Sequence, residues 1–514
     1  MSAVRPPFRR RLAFLVSFVS LFSITSLAPL PRAQTVSDTP TVARTVDIPI
    51  RSLADVSTPS PIRASDATLR TLGRVRTAPL PVCAPIWSTM VALAWHQQAG
   101  GTVRSAVRTM SGRSASVLDD QDAQPDPGSP EYHPDLRTSP LYWTGGGRCV
   151  RVSLRLPAGV ALSSLRADFI NTSGTAAGPG SEPKRSPFSV MAGAAGRLFH
   201  PATAEARVSM PAMVTRAQWG AMKPRPHCLE QSPEIRMAYV HHTAGTNGYP
   251  RWQSPAIVRG IQYYHEVTRG YCDIAYNFLV DRFGTIYVGR AGSDTSNVRP
   301  ASQMGFNQDT FSVSAMGDYQ AVRPPRRIVH AIERILAWRL DQVHLRPTGT
   351  ALMTSGGGPT DRYPAGRTVL LPLISGHRRT GLTDCPGRFL WRKLPAIRRA
   401  AYDIGRPKFF HPRQSRSAIT PLMDADRFTA RGTDPMLWEV DIRDWNGHVV
   451  QTLFATGSSL DASWNGTDRD GLPADPGTYT ATVWGRVPSG RRALPATFRT
   501  VVNPEPTPTV SPTP

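Results

Sequence analysis

An imidazole and a thiol stand eight positions apart in Ser375-Gly376-His377-Arg378-Arg379-Thr380-Gly381-Leu382-Thr383-Asp384-Cys385-Pro386-Gly387. With a glycine-containing loop between them, both side chains reach one metal ion without help from helix periodicity. Far upstream, Tyr239-Val240-His241-His242-Thr243-Ala244-Gly245 supplies further imidazoles. A fold that joins the two stretches must bring a strand end and a distant loop to one point. His241, His377 and Cys385 together predict one Zn2+ with the fourth tetrahedral position open to water, nitrogen and sulfur ligands lying at about 2.0–2.3 Å. Two neutral imidazoles and a thiolate leave such a centre positive, which lowers the pKa of water and polarises a carbonyl. His242 points to the opposite face of a strand from His241 and is not expected on the same ion. The other nine histidines, His265 among them, read as packed or solvated.

A chain of 514 residues is too long for one core, so about three domains are expected. Its 49 prolines predict extended connectors between them. The formal charge of +23 suits either general solubility or attraction to a polyanion. A nucleic-acid partner would want arginines clustered with aromatics on one element, and no such cluster is present, so an anionic cell-wall polymer fits better. Arg9-Arg10-Arg11 followed by the apolar run Leu12 to Ala28 reads as a secretory signal ending near Ala33, with an N-terminal membrane anchor as the other reading. Cleavage would leave no lasting membrane association; the sequence does not set the oligomeric state.

Export makes disulfides possible. The five cysteines are Cys83, Cys149, Cys228, Cys272 and Cys385, so one has no partner. If that one is Cys385, the other four divide by domain into Cys83–Cys149 and Cys228–Cys272.

Composition and periodicity divide the chain into a signal (1–33), a linker (34–82), a β-rich domain (83–172), a second linker (173–208), a central domain (209–403), a basic linker (404–421), a small β-sandwich (422–503) and a Pro/Thr-rich tail (504–514). Strict alternation from Cys149 to Leu156 marks the clearest strand of the first domain, and Asp119 to Pro130 reads as an acidic loop. In the central domain, strands are expected at 236–242, 273–280, 285–288, 311–316 and 368–374. Helices are expected after Ser254-Pro255, after Pro324-Pro325 and after Gly387, and residues 346–367 read as an irregular insertion. Strands interleaved with helices predict an α/β domain with one mixed sheet flanked by helices. Asp468, Asp470 and Gly471 lack the further acids of a calcium loop and read as a turn.

Val240-His241-His242-Thr243-Ala244-Gly245, Asp273-Ile274-Ala275-Tyr276-Asn277-Phe278-Leu279-Val280, Gly289-Arg290 and His377-Arg378 with Thr383-Asp384-Cys385-Pro386-Gly387 occur in that order. Together they resemble the zinc-dependent N-acetylmuramoyl-L-alanine amidases, the family that includes the peptidoglycan recognition proteins. The resemblance covers about 209–403. It implies peptidoglycan as partner, His241, His377 and Cys385 as zinc ligands, and Tyr276 as the tyrosine that steadies the developing oxyanion. Thr383 occupies the position of a catalytic lysine in the phage members, where many animal members carry threonine.

The implied reaction is hydrolysis of the amide joining N-acetylmuramic acid to L-alanine, at the cell wall and outside the cell. A non-catalytic peptidoglycan-binding module is the alternative; such members of the family typically lack the cysteine. Three positions depart from the family pattern: Ser302 stands where a histidine is usual, and Arg379 and Val288 stand where acids are common. The first β domain is similar to those ahead of the catalytic domain in many secreted cell-wall amidases. The block Ala462 to Gly471 with Pro476-Gly477-Thr478-Tyr479 resembles the Ig-like domain of flagellar hook-capping proteins.

Overall fold

The computed structural model describes residues 42–48, 75–76, 79–97, 101–120, 122–157, 160, 162–172 and 208–504. The expected signal, most of both first linkers and the tail from 505 lie outside the described residues.

The N-terminal part is an eight-stranded sheet in the order Val42–Asp47, Leu162–Asn171, Leu80–Gln97, Leu141–Leu156, Val75–Arg76. Arg104–Thr109 and Ser116–Asp119 also pair with Leu141–Leu156, and Leu136–Thr138 pairs with Leu80–Gln97. Successive side chains on a strand face opposite ways; Leu80–Gln97 alternates buried and exposed residues at first, and from Met90 to Trp95 both its faces are buried. Val91, Leu93 and Trp95 pack with Val152 and Phe169 on one side. Met90 and Ala92 pack with Leu141, Ile170 and the helix residues Ile257 and Ile261 on the other. The sheet is thus seated on the central domain by apolar contact. Cys83 lies opposite Cys149 in register and is disulfide-bonded to it; Cys228 is bonded to Cys272, and the buried Cys385 is free.

The central domain holds a five-stranded mixed sheet in the order Ile286–Val288, Phe278–Val280, Thr310–Ala315, Met237–His242, Ile374–Gly376. The first pair is an antiparallel hairpin and the other pairings are parallel. Helix Arg326–Gln342 lays Ile328, Ile332, Ile335 and Leu336 on the sheet beside Leu394 and Ile397 of helix Leu394–Asp403. Helix Ser254–Tyr263 covers the other side and continues into one π turn, Tyr264–Thr268. Ser254 is its first residue, Pro255 lies in its first turn, and no side chain caps it.

The expected 273–280 strand is confined to Phe278–Val280, because Asp273 to Asn277 spend their polar groups on side-chain hydrogen bonds. The expected irregular insertion instead carries strand Thr350–Thr354, which pairs with Thr368–Pro372 as a separate two-stranded sheet.

Both flanking linkers also contain strands. Val42–Asp47 pairs along its length with Leu162–Asn171, and Phe409–Gln414 pairs with Asp426–Arg443. Ladder hydrogen bonds hold these short polar segments where composition alone suggests open chain.

The C-terminal strands Phe409–Gln414, Asp426–Arg443, Gly477–Arg486, Ala496–Val502 and Ala418–Ile419 are linked in that order, with Val449–Trp464 paired to Asp426–Arg443. Trp438, Val440, Ile442, Trp464, Tyr479 and Val483 form their core. Asp468 closes its turn by accepting from the backbone N–H groups of Asp470 and Leu472, each at 2.9 Å.

Candidate metal centre

Parallel pairing of Met237–His242 between Thr310–Ala315 and Ile374–Gly376 puts His241 at one end of the sheet. The chain leaves Gly376 directly into a 3-10 turn, His377–Arg379, so His377 projects from the same end. Cys385 follows on a loop that closes back, with Arg378 N donating to Cys385 O at 2.7 Å. One ligand atom from each of His241, His377 and Cys385 lies within 4.8 Å of the others. The two imidazole centroids are 4.8 Å apart, and Cys385 Sγ is 3.7 Å from His241 Nδ1.

Burial lowers the pKa of His241 well below its ordinary value and that of His377 to about 3, so both rings are neutral and keep a lone pair. The same burial, with Asp122 and Asp120 nearby, pushes the Cys385 thiol well up. A buried thiolate here therefore needs a cation beside it. His241 Nε2 and His377 Nδ1 are buried without a hydrogen-bond partner. Orphaned buried polar atoms are costly, and a soft divalent ion would satisfy nitrogen and sulfur donors together. The residues fit zinc.

Tyr276 is buried against this cluster, its ring centroid 5.6 Å from that of His241. Burial first, then Asp119 and Asp120, raises its phenol pKa well above the usual value, so it holds its proton. Thr383 Oγ1 accepts from Cys385 N at 2.9 Å and donates to the Asp122 carboxylate. His242 turns away: its Nδ1 accepts from Tyr319 N at 3.1 Å, although its backbone N–H points at Cys385 Sγ. It nonetheless lies in a second, overlapping group with Asp122 and Cys385.

The positions that depart from the family pattern differ in their surroundings. Ser302 is buried with its hydroxyl unpartnered, Val288 is buried, and the exposed Arg379 lies over the Trp391 ring.

Sequence reasoning passes over three residues at this site. His265, read as packed, is wholly buried with Nε2 2.9 Å from Asp119 Oδ2, while Asp119 Oδ1 accepts from Tyr276 OH at 3.4 Å. Asp119 and Asp122 come from the stretch read as an acidic loop of another domain. Its acidity was the only available signal, and acidity alone does not say where a loop docks.

The N-acetylmuramoyl-L-alanine amidase family model matches residues 231–388. Peptidoglycan-recognition protein SC1a/b of Drosophila simulans is 24% identical over 182 residues, 35% of this chain and 83% of that protein. Among solved structures, Drosophila PGRP-LB is similar at a TM-score of 0.29 and 22% identity, covering 36% of this chain and 93% of that one. Peptidoglycan recognition protein 1 of Bos taurus is 32% identical over 135 residues, 26% of this chain and 69% of that protein. Through this central domain, the chain belongs to the N-acetylmuramoyl-L-alanine amidase and peptidoglycan recognition protein family.

Proposed function

We propose that the protein is a secreted zinc amidohydrolase that cleaves the amide between N-acetylmuramic acid and the L-alanine of peptidoglycan. The observation that carries this reading is the free, buried Cys385 beside two neutral imidazoles that each have an orphaned nitrogen. A binding module has no need of a buried thiol in that company. Relatives named for peptidoglycan recognition support the substrate class.

His241, His377 and Cys385 would hold the ion, three protein donors leaving one position free as in catalytic sites. Zinc bound there supplies a Lewis acid that polarises the scissile carbonyl and acidifies water. Tyr276, kept protonated by burial, donates its phenolic O–H to the oxygen on which negative charge develops. The Thr383 hydroxyl fixes the Cys385 loop through Cys385 N and turns its own proton outward, toward the carboxylate it now meets. The low-dielectric surroundings strengthen both contacts.

The flanking sheets serve as wall-binding or spacer modules in this reading, the C-terminal one with an Ig-like arrangement. The positive charge draws the chain to anionic wall polymers. The domain limits given above, with strands Val42–Asp47 and Phe409–Gln414 drawn into the neighbouring sheets, and export behind the N-terminal signal complete the proposal.

The test is incubation of the zinc-loaded full chain with peptidoglycan, followed by mass analysis of the soluble products. Free stem peptides beginning at L-alanine are expected. Sedimentation of the protein with the wall, without such peptides, would overturn the amidase reading in favour of a binding module.

A further inference from the structure

The candidate centre is closed. His241, His377, Cys385 and Tyr276 are each 3% exposed or less. What closes it belongs to the N-terminal sheet. Asp119 forms an antiparallel bridge with Ala244, Thr246 N donates to Val117 O at 2.6 Å, and Asp120 N donates to Thr243 O at 3.0 Å. These contacts lie against the segment that immediately follows His241 and His242.

Farther on, Asp122 takes the Thr383 hydroxyl and lies within 4.8 Å of His242 and Cys385 ligand atoms. Tyr271 OH then donates to Ala123 O at 2.9 Å. Asp126 anchors the far end, accepting from Gly305 N at 2.6 Å and Asn307 Nδ2 at 2.9 Å and pairing with Arg299 at 2.5 Å.

A glycan strand bearing a peptide stem is far larger than any gap beside such ligands, so it cannot reach them while this segment is down. We infer that residues 120 and 122–126, running on from strand Ser116–Asp119, form an intramolecular strap that keeps the centre latent, and that the strap must lift before a polymeric substrate enters. The sheet itself need not leave. Met90, Leu141 and Ile170 seat it on helix Ser254–Tyr263 by apolar packing that Leu118 and Ala123 join, whereas Asp122 and Asp126 are held by hydrogen bonds and an ion pair. Polar anchors of that kind open locally at less cost than packed cores, and lid opening of this kind commonly gates enzymes. Asp122 doubles as a decoy partner, engaging the hydroxyl that the proposed reaction uses.

The latency rests on the amidase reading, but the strap's test does not need activity. Cys385 is the free cysteine, so its reaction with 5,5′-dithiobis(2-nitrobenzoate) in the metal-free full chain reports whether the centre is covered. Gly245→Ala would put a methyl group inside van der Waals contact with the Leu118 carbonyl, and Asp126→Ala removes the far anchor. The two variants attack the strap from opposite sides, so one can stand in if the other misfolds.

The expected result is a wild-type rate about 100-fold or more below that of the urea-unfolded chain, and a rise of about 10-fold or more in the variants, with circular dichroism unchanged. Stem-peptide release should rise with it. A wild-type thiol that reacts at the unfolded rate, or folded variants that react at the wild-type rate, would overturn the strap. A freed thiol without peptide release keeps the strap and removes the amidase. Peptide release with an unmoved thiol does the reverse.

Discussion

His265 Nε2 lies 2.9 Å from Asp119 Oδ2, both side chains are wholly buried, and one comes from the π turn Tyr264–Thr268, the other from strand Ser116–Asp119. His265 Nδ1 accepts the Ala275 backbone N–H at 3.1 Å, which leaves the ring's proton on Nε2, facing the carboxylate. Burial lowers the His265 pKa despite that carboxylate, so the ring is neutral. Asp119 Oδ1 in turn receives the Tyr276 hydroxyl. Removing the carboxylate strands the buried Tyr276 hydroxyl and takes the close contact away from His265 Nε2. Asp119→Ala is therefore expected to destabilise the protein by about 2–4 kcal/mol. Asp119→Asn, which keeps an acceptor oxygen, should lose less than half as much. Urea unfolding followed by tryptophan fluorescence measures both; equal losses would mean that the acceptor is not what matters.

Cys385→Ser replaces a soft thiolate with a neutral hydroxyl among donors that fit zinc. The expected outcome is a folded chain with unchanged circular dichroism that loses its zinc on dialysis against a mild chelator, read by elemental analysis. Full zinc retention would falsify the ligand assignment.

Glu266 offers a pH signature away from the centre. Burial and the neighbouring Asp273 raise its pKa to about 8, against the partial opposition of Gln262 and Arg216. In the unfolded chain a glutamate titrates near 4.3. Between these values the folded state binds the extra proton, so stability is greatest below about pH 4.5 and falls as pH rises through 8. This group alone should remove about 2 kcal/mol between pH 5 and 8, allowing for relaxation of the site. Glu266→Gln keeps an acceptor for Gln262 Nε2, now 2.6 Å from Glu266 Oε1, and cannot ionise. Its stability should be flatter over that range, which denaturant midpoints at several pH values would reveal. A variant that keeps the wild-type slope assigns that slope to another group.

How far such features can be read from sequence depends on what holds them. The convergence of His241, His377 and Cys385 is legible because rare residue types stand at a strand end and on one loop, and the parallel pairing of their strands does the rest. Helix Arg326–Gln342 is legible from its apolar stripe. Strand Thr350–Thr354 is not, because Leu352 and its cross-strand partner Leu370 are both exposed, so alternation there marks no buried face. Asp119, Asp122 and His265 escape for a different reason. Their partners are brought to them by one sheet docking on another domain's helix, and no local pattern in 117–126 encodes where that surface lies.

One glycine of the metal loop stands close against a ligand ring. A Cβ added at Gly381 would meet His377 Cδ2 and Nε2, each at 2.6 Å. Its backbone is held by Gly381 N donating to His377 O at 2.9 Å, and its φ lies outside the left-handed region that demands glycine. Alanine is thus acceptable to the backbone and unacceptable to the imidazole. The ring must shift to admit the methyl group, and His377 Nδ1 moves with it. Misorienting one donor without deleting it resembles the loss of an outer-shell partner, which weakens metal binding by about 10–100-fold. Gly381→Ala should therefore lower zinc affinity by that factor in competition with a chromophoric chelator, while the denaturant midpoint of the metal-free chain moves by about 1 kcal/mol or less. Wild-type affinity in this variant would mean that the His377 ring orientation does not set the ion's hold.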